Sequence, residues 1–413
     1  MEKIIVIGGG FGGLSFLKKA RKSKNDFILI DKTNHHLFQP LLYQVATAVL
    51  SPADITVPLR NLFKNDKNVK TILAEVEEIK RETKEVVLDN DQVLSYDKLI
   101  VSTGSSYSFF GNNEWSNFAK GLKVINDALD IREKILKAFE KAENEKDENI
   151  RKRYLNFVII GGGPTGVELA GSIAEIAYRN MTKEFRNFNS SDANIYLLEA
   201  GEKILPAYSE TLSKKSHKYL NDLGVKIRTK ERVENIKETF VTTDKDVIEA
   251  DNIIWAAGNE ASPLIKQLQT ENDNEGRAVV NLDCSIKEDQ DVYVIGDAAN
   301  FQTENGESLP GIAPVAIQQG RYVAYNIKNN IQSSNRRPFK YSDKGMMATI
   351  GRFKAVGVLG NFEMAGFTAW IFWSLIHLIY LIGYRSKILV AIEWIFAYFL
   401  NKRGTRLIYR DID

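Results

Sequence analysis

Two glycine-rich turns, GGGFGG at 8–13 and GGGPTG at 161–166, are the segments of this sequence best suited to bind a ligand. In each turn the first glycine allows a tight bend, the middle one lets the backbone approach a pyrophosphate, and the last lets a helix pack closely on a strand. The phosphates then meet the positive end of the helix dipole. Each turn therefore predicts a dinucleotide site.

An acidic residue ends the apolar run that follows each turn. Asp31 comes 23 residues after Gly8, and Glu199 comes 38 residues after Gly161. A carboxylate at this place accepts hydrogen bonds from the ribose diol of a dinucleotide. The longer second spacing predicts an extended helix and a loop before the second strand. No arginine adjoins Glu199 to take a 2′-phosphate, which favours NADH over NADPH, although Lys203 is close.

The elements that position these residues follow from the pattern of apolar runs. The order strand, turn, helix, strand occurs twice, which predicts an α/β chain with two Rossmann-like dinucleotide-binding domains. The strand VYVIGDAA at 292–299 returns to the first domain, so the second is inserted in the first. Helices are predicted at 41–49, 121–143 and 314–328. We expect domains at 1–120 with 285–335 and at 121–284, and an amphipathic helical, membrane-anchoring region at 336–413.

The composition and residue spacing argue against several classes of protein and site. Lysine and arginine number 55 against 53 aspartate and glutamate residues, so no nucleic-acid partner is expected. The single cysteine, Cys284, excludes an intrachain disulfide and fits a reducing compartment. The first strand begins near residue 3, so no cleaved signal peptide is expected. His35 and His36 have no third ligand at useful spacing, so no metal site is predicted.

The C-terminal region is very apolar. Residues 367–384 carry no acidic or basic side chain except His377. Such a segment reaches about 27 Å as a helix, at the lower limit for spanning a bilayer. A membrane span, a buried core or dimer-interface helix, and helices lying in one bilayer interface all fit it. Its aromatic residues favour the interfacial arrangement. Five cations would then lie near anionic lipid: Arg385, Lys387, Lys402, Arg403 and Arg406.

Four further motifs carry a family resemblance. They are FQPLLYQVAT at 38–47, GPTGVELAG at 163–171, APVAIQQG at 313–320 and ATIGRFKAV at 348–356. With the two glycine turns, they make the chain resemble the two-dinucleotide-binding-domain flavoproteins and, among these, the type II, non-proton-pumping NADH:quinone oxidoreductases. Where that family has a glutamine at the start of its quinone-site signature, this chain has Pro314. No side-chain role can be carried over to that position.

The resemblance implies an activity and its partners. A hydride from NADH would reduce FAD, and two electrons would then pass to a membrane quinone, menaquinone or ubiquinone, without proton pumping. It also implies a homodimer bound to the bilayer surface as a peripheral, monotopic protein on the cytoplasmic face of the inner membrane. Alternatives are a ferredoxin- or rubredoxin-type reductase, which gives no reason for the apolar tail, and an interaction protein similar to apoptosis-inducing factors.

The resemblance also implies site residues. FAD would be held by Gly8, Gly10, Phe11, Gly12, Gly13, Asp31, Lys32, Gln44, Thr47, Val76, Thr103, Gly104, Gly296 and Asp297. NADH would be held by Gly161, Gly163, Pro164, Thr165, Gly166, Glu199, Ala257 and Gly258. The quinone would lie at Ala316, Ile317 and Gln318. The catalytic candidates are Gln318 and Glu168. Glu168 is either a group near the nicotinamide that affects binding or proton uptake by the quinone, or an acid favoured only by the helix start.

Overall fold

A computed structural model describes residues 1–401 and 403–408 of the chain. Its α-helices are α1 (Phe11–Ala20), α2 (Leu42–Ala46), α3 (Leu59–Phe63), α4 (Ile125–Asn144), α5 (Glu148–Tyr154), α6 (Pro164–Glu175), α7 (Glu210–Asp222), α8 (Ala313–Lys328), α9 (Phe367–Tyr380) and α10 (Tyr384–Phe399). Its strands are β1 (Lys3–Ile7), β2 (Asp26–Asp31), β3 (His35–Leu37), β4 (Thr56–Pro58), β5 (Val69–Leu73), β6 (Val76–Lys80), β7 (Glu85–Leu88), β8 (Val93–Ser95), β9 (Lys98–Val101), β10 (Ser105–Tyr107), β11 (Ala119–Lys120), β12 (Asn156–Ile160), β13 (Asn194–Glu199), β14 (Val225–Thr229), β15 (Val233–Lys237), β16 (Phe240–Thr243), β17 (Val247–Glu249), β18 (Asn252–Trp255), β19 (Asn259–Ala261), β20 (Ala278–Val280), β21 (Val292–Val294), β22 (Ala299–Phe301), β23 (Met346–Thr349), β24 (Ala355–Leu359) and β25 (Phe362–Gly366).

The chain folds into two compact units. The first unit consists of Met1–Leu37, Val57–Ser106 and Asn259–Asp343, and the second of Phe38–Thr56, Tyr107–Gly258 and the chain from Lys344 onward. Each unit is therefore assembled from three separate stretches of sequence.

The first unit is built on a five-stranded parallel sheet with the order β21-β9-β1-β2-β5. Its central strand β1, KIIVI, is buried along most of its length, as expected for a strand covered on both faces. Ile7 of β1 pairs with Ile30 of β2, so Gly8 and Asp31 follow at the same edge of the sheet. This edge is where a doubly wound sheet binds its ligand.

The second unit repeats this arrangement with the order β11-β18-β12-β13-β14. Ile160 of β12 pairs with Leu198 of β13, which brings Gly161 and Glu199 to one edge. The extra residues between them continue α6 as a π-helical turn, Ile176–Asn180, and then form a loop. The predicted pair of Rossmann-like folds and the predicted extension are confirmed.

Local differences from the sequence-based expectations have backbone causes. The helix predicted at 41–49 is only the five residues of α2, because the chain turns at Ala48, whose φ is 58°. The helix predicted from residue 121 begins at Ile125. The charged stretch after α4 contains α5, which the sequence did not predict and which Asp147 caps by accepting from the Asn149 and Ile150 amides.

The C-terminal region is an antiparallel sheet, β23-β24-β25, followed by α9 and α10. The apolar segment predicted at 367–384 is interrupted after Tyr380, because Leu381 is extended and Gly383 has a φ of 89°. Among residues 1–401 and 403–408, no helix combines the length and apolar character that crossing a membrane requires.

Candidate functional site

The first glycine turn has the geometry that a pyrophosphate needs. Gly8 has a φ of 98°, which favours glycine, and its amide donates to the Ile30 carbonyl at 2.8 Å. A Cβ on Gly13 would overlap the Gly8 carbonyl, so a larger residue there would push α1 away from β1. By contrast, apart from the adjoining residues, no atom of residues 1–401 and 403–408 lies within 4 Å of the Cβ position of Gly10. The middle of the turn is thus open on the side where a ligand would approach.

Asp31 is anchored to this turn. Its Oδ2 accepts a hydrogen bond of 2.6 Å from the Gly9 amide. Its Oδ1 accepts from the Thr33 amide at 2.6 Å and from the Thr33 hydroxyl at 2.7 Å. The carboxylate is therefore held rigidly at the edge of the sheet, where its remaining lone pairs can accept from a ribose diol.

Two buried polar atoms beside the turn have no hydrogen-bond partner among the described residues, namely Thr103 Oγ1 and His36 Nε2. The ring of His36 pairs through Nδ1 with the Gly9 carbonyl at 2.9 Å. Burial lowers the pKa of His36 to about 4, so the ring is neutral. Because a carbonyl only accepts, Nδ1 carries the proton and Nε2 is left as an acceptor. Open backbone and unpaired polar atoms fit a dinucleotide rich in hydroxyl groups, such as FAD.

The other FAD candidates of the first unit lie on known elements. Val76 begins β6, and Lys32 forms an exposed ion pair with Glu75 at 3.4 Å. Asp297 accepts from the Ser105 hydroxyl at 3.2 Å. Three further candidates lie in or beside the turns of this sheet edge: Gly104, whose Cβ position is open, Gly12 beside Ile295, and Phe11, whose ring meets His36 edge-on.

The quinone candidates lie on α8 of the first unit. Ala316 is buried, and Ile317 and Gln318 are partly buried. The Gln318 amide donates to the Ser342 carbonyl at 2.9 Å and accepts from the Ser342 amide at 3.0 Å, which fixes its orientation. Sequence reasoning missed the neighbouring Gln319, which is buried and accepts from the Gly296 amide at 2.7 Å. The sequence does contain a signal for Gln319, because it is the second glutamine of the QQ pair in the APVAIQQG motif.

The second glycine turn repeats the first. Gly161 has a φ of 113°, a Cβ on Gly166 would overlap the Gly161 carbonyl, and the Cβ position of Gly163 is open. Glu199 accepts from the Gly162 amide at 2.7 Å and from the Gly201 amide at 2.6 Å. The remaining NADH candidates lie at the same sheet edge: Pro164 and Thr165 begin α6, and Ala257 and Gly258 follow β18.

Gln44 and Thr47, expected near FAD, belong to α2 and its C-cap in the second unit, where both are fully buried. The Thr47 hydroxyl donates to the Tyr43 carbonyl and accepts from the Ser172 hydroxyl, both at 2.8 Å. The Gln44 side chain bonds to two tyrosines and a tryptophan of the same unit. Both side chains therefore tie α2 to its neighbours within this unit.

Glu168 lies on the first turns of α6, with its carboxyl group against β23. It accepts a long hydrogen bond, 3.4 Å, from the Thr349 amide. Burial raises the pKa of Glu168 to about 8, so the carboxyl is largely protonated at neutral pH. This shift arises from burial and not from the helix start, which favours the charged form of an acid.

The prediction that Arg403 lies near anionic lipid is wrong. It does not face lipid: it is 7% exposed, and its Nη2 pairs with Glu175 Oε2 at 3.0 Å. Its Nη1 donates to the Thr47 carbonyl at 2.7 Å and to the Ser172 carbonyl at 3.3 Å. A carboxylate buried on α6 requires a cation, and Arg403 supplies it. Arg406 pairs with Glu184, and Lys402 lies outside the described residues.

Comparison with known proteins identifies the family. The chain matches the family of pyridine nucleotide-disulphide oxidoreductases over residues 2–320. It is 40% identical over 420 residues to the type II NADH:quinone oxidoreductase NdhA of Mycobacterium tuberculosis, covering 98% of this chain and 88% of that protein. The chain belongs to the type II NADH:quinone oxidoreductases. The resemblance predicted from the sequence motifs is confirmed.

A further relative and a solved structure are also similar to this chain. The type II NADH:quinone oxidoreductase of Staphylococcus haemolyticus is 31% identical over 379 residues, covering 88% of this chain and 91% of that protein. The structure of NDH2 from Plasmodium falciparum in complex with NADH is 22% identical and has a TM-score of 0.90, covering 99% of this chain and 100% of that chain. This second likeness shows that the fold is shared.

Proposed function

We propose that this protein is a flavoenzyme that takes a hydride from NADH and passes two electrons to a quinone. The observation that carries the proposal is a pair of glycine turns, each with a carboxylate held against it, in a chain of the type II NADH:quinone oxidoreductase family. FAD, when bound, supplies the redox chemistry. The chain's own residues bind and orient the reactants and hold or release a proton.

The first unit is the proposed FAD-binding domain. Asp31 would accept from the adenosine ribose, and the open backbone at Gly10 would face the pyrophosphate. Thr103 and His36, with their unpaired buried atoms, would complete their hydrogen bonding with the cofactor or with water that it orders.

The second unit is the proposed NADH-binding domain. Glu199 would accept from the ribose hydroxyls of NADH, as Asp31 would from those of FAD. Lys203 is the nearby cation that could favour NADPH, but its ammonium group donates to the Tyr208 carbonyl at 2.8 Å and faces Glu210 at 4.0 Å. A 2′-phosphate would meet the Glu199 carboxylate, which favours NADH.

Glu168 is the proposed proton donor. The overall reaction, NADH + H⁺ + quinone → NAD⁺ + quinol, takes up one proton besides the transferred hydride. A carboxyl group whose pKa burial raises to about 8 holds that proton at neutral pH and can release it. Gln318, fixed by Ser342, would help to orient the quinone headgroup, with Ala316 and Ile317 beside it. The quinone would be a menaquinone or a ubiquinone.

The exposed faces of α9 and α10 are the proposed membrane contact. Large apolar side chains on both helices are more than a third exposed: Phe367, Ile371, Phe372, Leu375, Ile379, Tyr380, Tyr384, Ile388, Ile392, Ile395, Phe396 and Phe399. Apolar and aromatic residues on one region of a protein suit the boundary of a bilayer. The protein would lie on the cytoplasmic face of the membrane as a monotopic homodimer. Contact with the bilayer would give a lipid-soluble quinone access to the enzyme.

A vesicle flotation assay tests this contact. The purified protein should float with liposomes that contain anionic lipid, and the variant Ile379→Glu/Ile388→Glu should remain in the dense fraction. Phe362→Glu, which changes an exposed residue on β25, is the matched control and should float like the wild type. Equal flotation of all three proteins would contradict the proposed surface.

Activity with defined acceptors tests the reaction. We expect the detergent-solubilised protein to carry FAD and to oxidise NADH rapidly only when a menaquinone or ubiquinone analogue is present. Ferredoxin should not replace the quinone. The single cysteine, Cys284, is fully buried, so dithiol chemistry does not compete as an explanation. Rapid reduction of ferredoxin with no reduction of quinones would overturn the proposal.

A further inference from the structure

A small cavity beside Glu168 has no part in the function described so far. Its volume is about 10 Å³, which is room for one water molecule. It lies within the second unit, and six polar residues contribute to its lining: Tyr43, Gln44, Glu168, Ser172, Glu175 and Tyr398. A polar cavity of this size holds a water when two to four groups can bond to it.

The side chain of Gln44 fixes the hydrogen bonding around this cavity. Its Oε1 lies 2.7 Å from the indole nitrogen of Trp394, and an indole N–H can only donate. The amide orientation is therefore determined, and Nε2 must face the two tyrosines. It donates to the Tyr43 hydroxyl oxygen at 2.9 Å and to the Tyr398 hydroxyl oxygen at 3.1 Å.

Both tyrosine hydroxyls consequently have a proton to donate. Each oxygen already accepts from Gln44, so its own O–H must point elsewhere. Tyr43 and Tyr398 are 5% and 6% exposed, and in the described part of the chain neither O–H donates a hydrogen bond. A buried donor without an acceptor is costly. Both tyrosines line the same cavity, which is where an acceptor would fit.

Of the two carboxyl groups on this cavity, Glu168 is the less engaged by hydrogen bonds. Glu175 accepts from Arg403 through Oε2 and from the Arg352 amide through Oε1. From the residues that the structure describes, Glu168 accepts only the long bond from the Thr349 amide. A water molecule in the cavity would thus have two donors, Tyr43 and Tyr398, and one acceptor, Glu168.

We propose that one ordered water occupies this cavity, accepts hydrogen bonds from the Tyr43 and Tyr398 hydroxyls, and donates one to the Glu168 carboxyl group. A hydrogen bond donated to a carboxylate stabilises the charged form. The water therefore holds the carboxylate that remains after Glu168 has given its proton to the reaction, until a proton from solvent restores the acid. Tyr43 and Tyr398 are positioning residues that act through the water. This last role rests on the proposed function, whereas the water site does not.

Other ionisable groups face Glu168 from the elements around it and set the background of its titration. Glu175 lies two helical turns further along α6, with Arg403 as its partner. Tyr208 approaches from the segment before α7, and Tyr43 and Tyr398 approach from α2 and α10. Burial raises the pKa of Tyr43 and that of Tyr398, so both hydroxyls stay neutral near pH 8. Deleting one of them therefore removes no charge from around Glu168, and such a variant reports the loss of a donor to the water.

Infrared spectroscopy of the full-length holoenzyme during a pH titration tests the proposal. The C=O stretch of the protonated Glu168 carboxyl is identified as the band that disappears in Glu168→Gln. In the wild type this band should be lost with a midpoint near pH 8. In Tyr43→Phe and in Tyr398→Phe the midpoint should rise by about one pH unit, because the carboxylate loses a water held by two donors.

Tyr178→Phe is the matched control. This substitution also removes a tyrosine hydroxyl of the second unit, one that donates to the Ala193 carbonyl at 2.8 Å. Tyr178 does not line the cavity. Its midpoint should equal that of the wild type. An unchanged or lowered midpoint in both cavity variants would overturn the water site, whatever the quinone kinetics show. Quinone reduction that is indifferent to Glu168→Gln would instead overturn the proposed proton donor and leave the water site standing.

Discussion

The helices that follow the two glycine turns differ in what they carry. α1 has no acidic residue and packs against α8, where a Cβ on Gly320 would overlap the Gly12 carbonyl. α6 carries Glu168 and Glu175 seven residues apart, on one face of the helix. The turns themselves are nearly identical. The shared signature therefore specifies nucleotide binding, whereas the helix behind it specifies what else the fold does.

A neutral titratable group accompanies each turn, and the two groups are perturbed in opposite directions. Burial lowers the pKa of His36, beside the first turn, to about 4. Burial also raises the pKa of Glu168, beside the second turn, to about 8. Both groups are mainly uncharged near pH 7, but acid charges the first and alkali charges the second. The first unit should thus lose stability in acid and the second in alkali.

The largest expected effect is the loss of stability of the second unit when the buried Arg403–Glu175 ion pair is broken. Arg403→Ala leaves Glu175 as an unpaired buried carboxylate, and we expect the free energy of unfolding to fall by about 3–5 kcal/mol. Chemical denaturation followed by tryptophan fluorescence measures it. Arg406→Ala is the control, because the pair of Arg406 with Glu184 is exposed and should be worth at most about 1 kcal/mol. Equal losses in the two variants would mean that burial of the pair is unimportant.

The opposite pKa shifts predict opposite pH dependences. Unfolded histidine binds a proton below about pH 6.5, so His36 contributes stability above that pH that is lost as the pH falls through about 4. Glu168 contributes stability below its unfolded pKa of about 4.5 that is lost as the pH rises through about 8. The effect amounts to about 3 kcal/mol for His36 and about 5 kcal/mol for Glu168.

Two variants separate these pH effects. In His36→Asn, the free energy of unfolding should decline less between pH 6.5 and 4 than in the wild type. Part of the decline should remain, because burial also lowers the pKa of His377 to about 4. In Glu168→Gln, stability should decline less between pH 4.5 and 8. Urea denaturation at a series of pH values measures both. If either variant followed the wild-type curve, that residue would not be the group responsible.

The close contacts inside the turns predict separable losses of ligand. In Gly166→Ala the new Cβ overlaps the Gly161 carbonyl, so we expect NADH to bind at least about tenfold more weakly while the flavin is retained. In Gly13→Ala the corresponding overlap with the Gly8 carbonyl should deplete the flavin. Calorimetric titration of NADH and the flavin content of the purified variants report the two outcomes. Flavin loss in Gly166→Ala with normal flavin in Gly13→Ala would reverse the assignment of the units.

The smallest expected effect is on the choice of nicotinamide. Glu199→Gln keeps a hydrogen-bonding group for the ribose but removes the negative charge, so discrimination against NADPH should weaken by about threefold to tenfold. The ratio of kcat/KM for NADH and NADPH measures it. The preference should persist in Lys203→Ala, because Lys203 is already engaged by Tyr208 and Glu210. An unchanged ratio in Glu199→Gln would remove Glu199 from the specificity argument.

The sequence was sufficient for the parts of the molecule that depend on local pattern. Apolar runs that end in glycines or acids predicted the two parallel sheets, and the positions of Asp31 and Glu199 at their edges followed from chain order. The role of Glu168 stayed open, because an acid near a helix start is favoured for reasons unrelated to burial.

Long-range pairings could not be predicted in this way. Glu175 and Arg403 are 228 residues apart, and Arg403 lies among cations that suggested lipid binding. Gln44 and Trp394 are separated by 350 residues, and no periodicity connects them. The distinction between Gln318 and Gln319 also required the structure, because successive helical residues point in different directions.

Anaerobic stopped-flow absorbance of the flavin tests the central account most directly, since it separates what the two folds do. The detergent-solubilised holoenzyme is mixed with NADH and then with a menaquinone or ubiquinone analogue. The account predicts rapid bleaching by NADH, slower bleaching by NADPH, and prompt recovery of the flavin band on addition of quinone. Rapid bleaching followed by indifference to every quinone would contradict it and would point to a different electron acceptor.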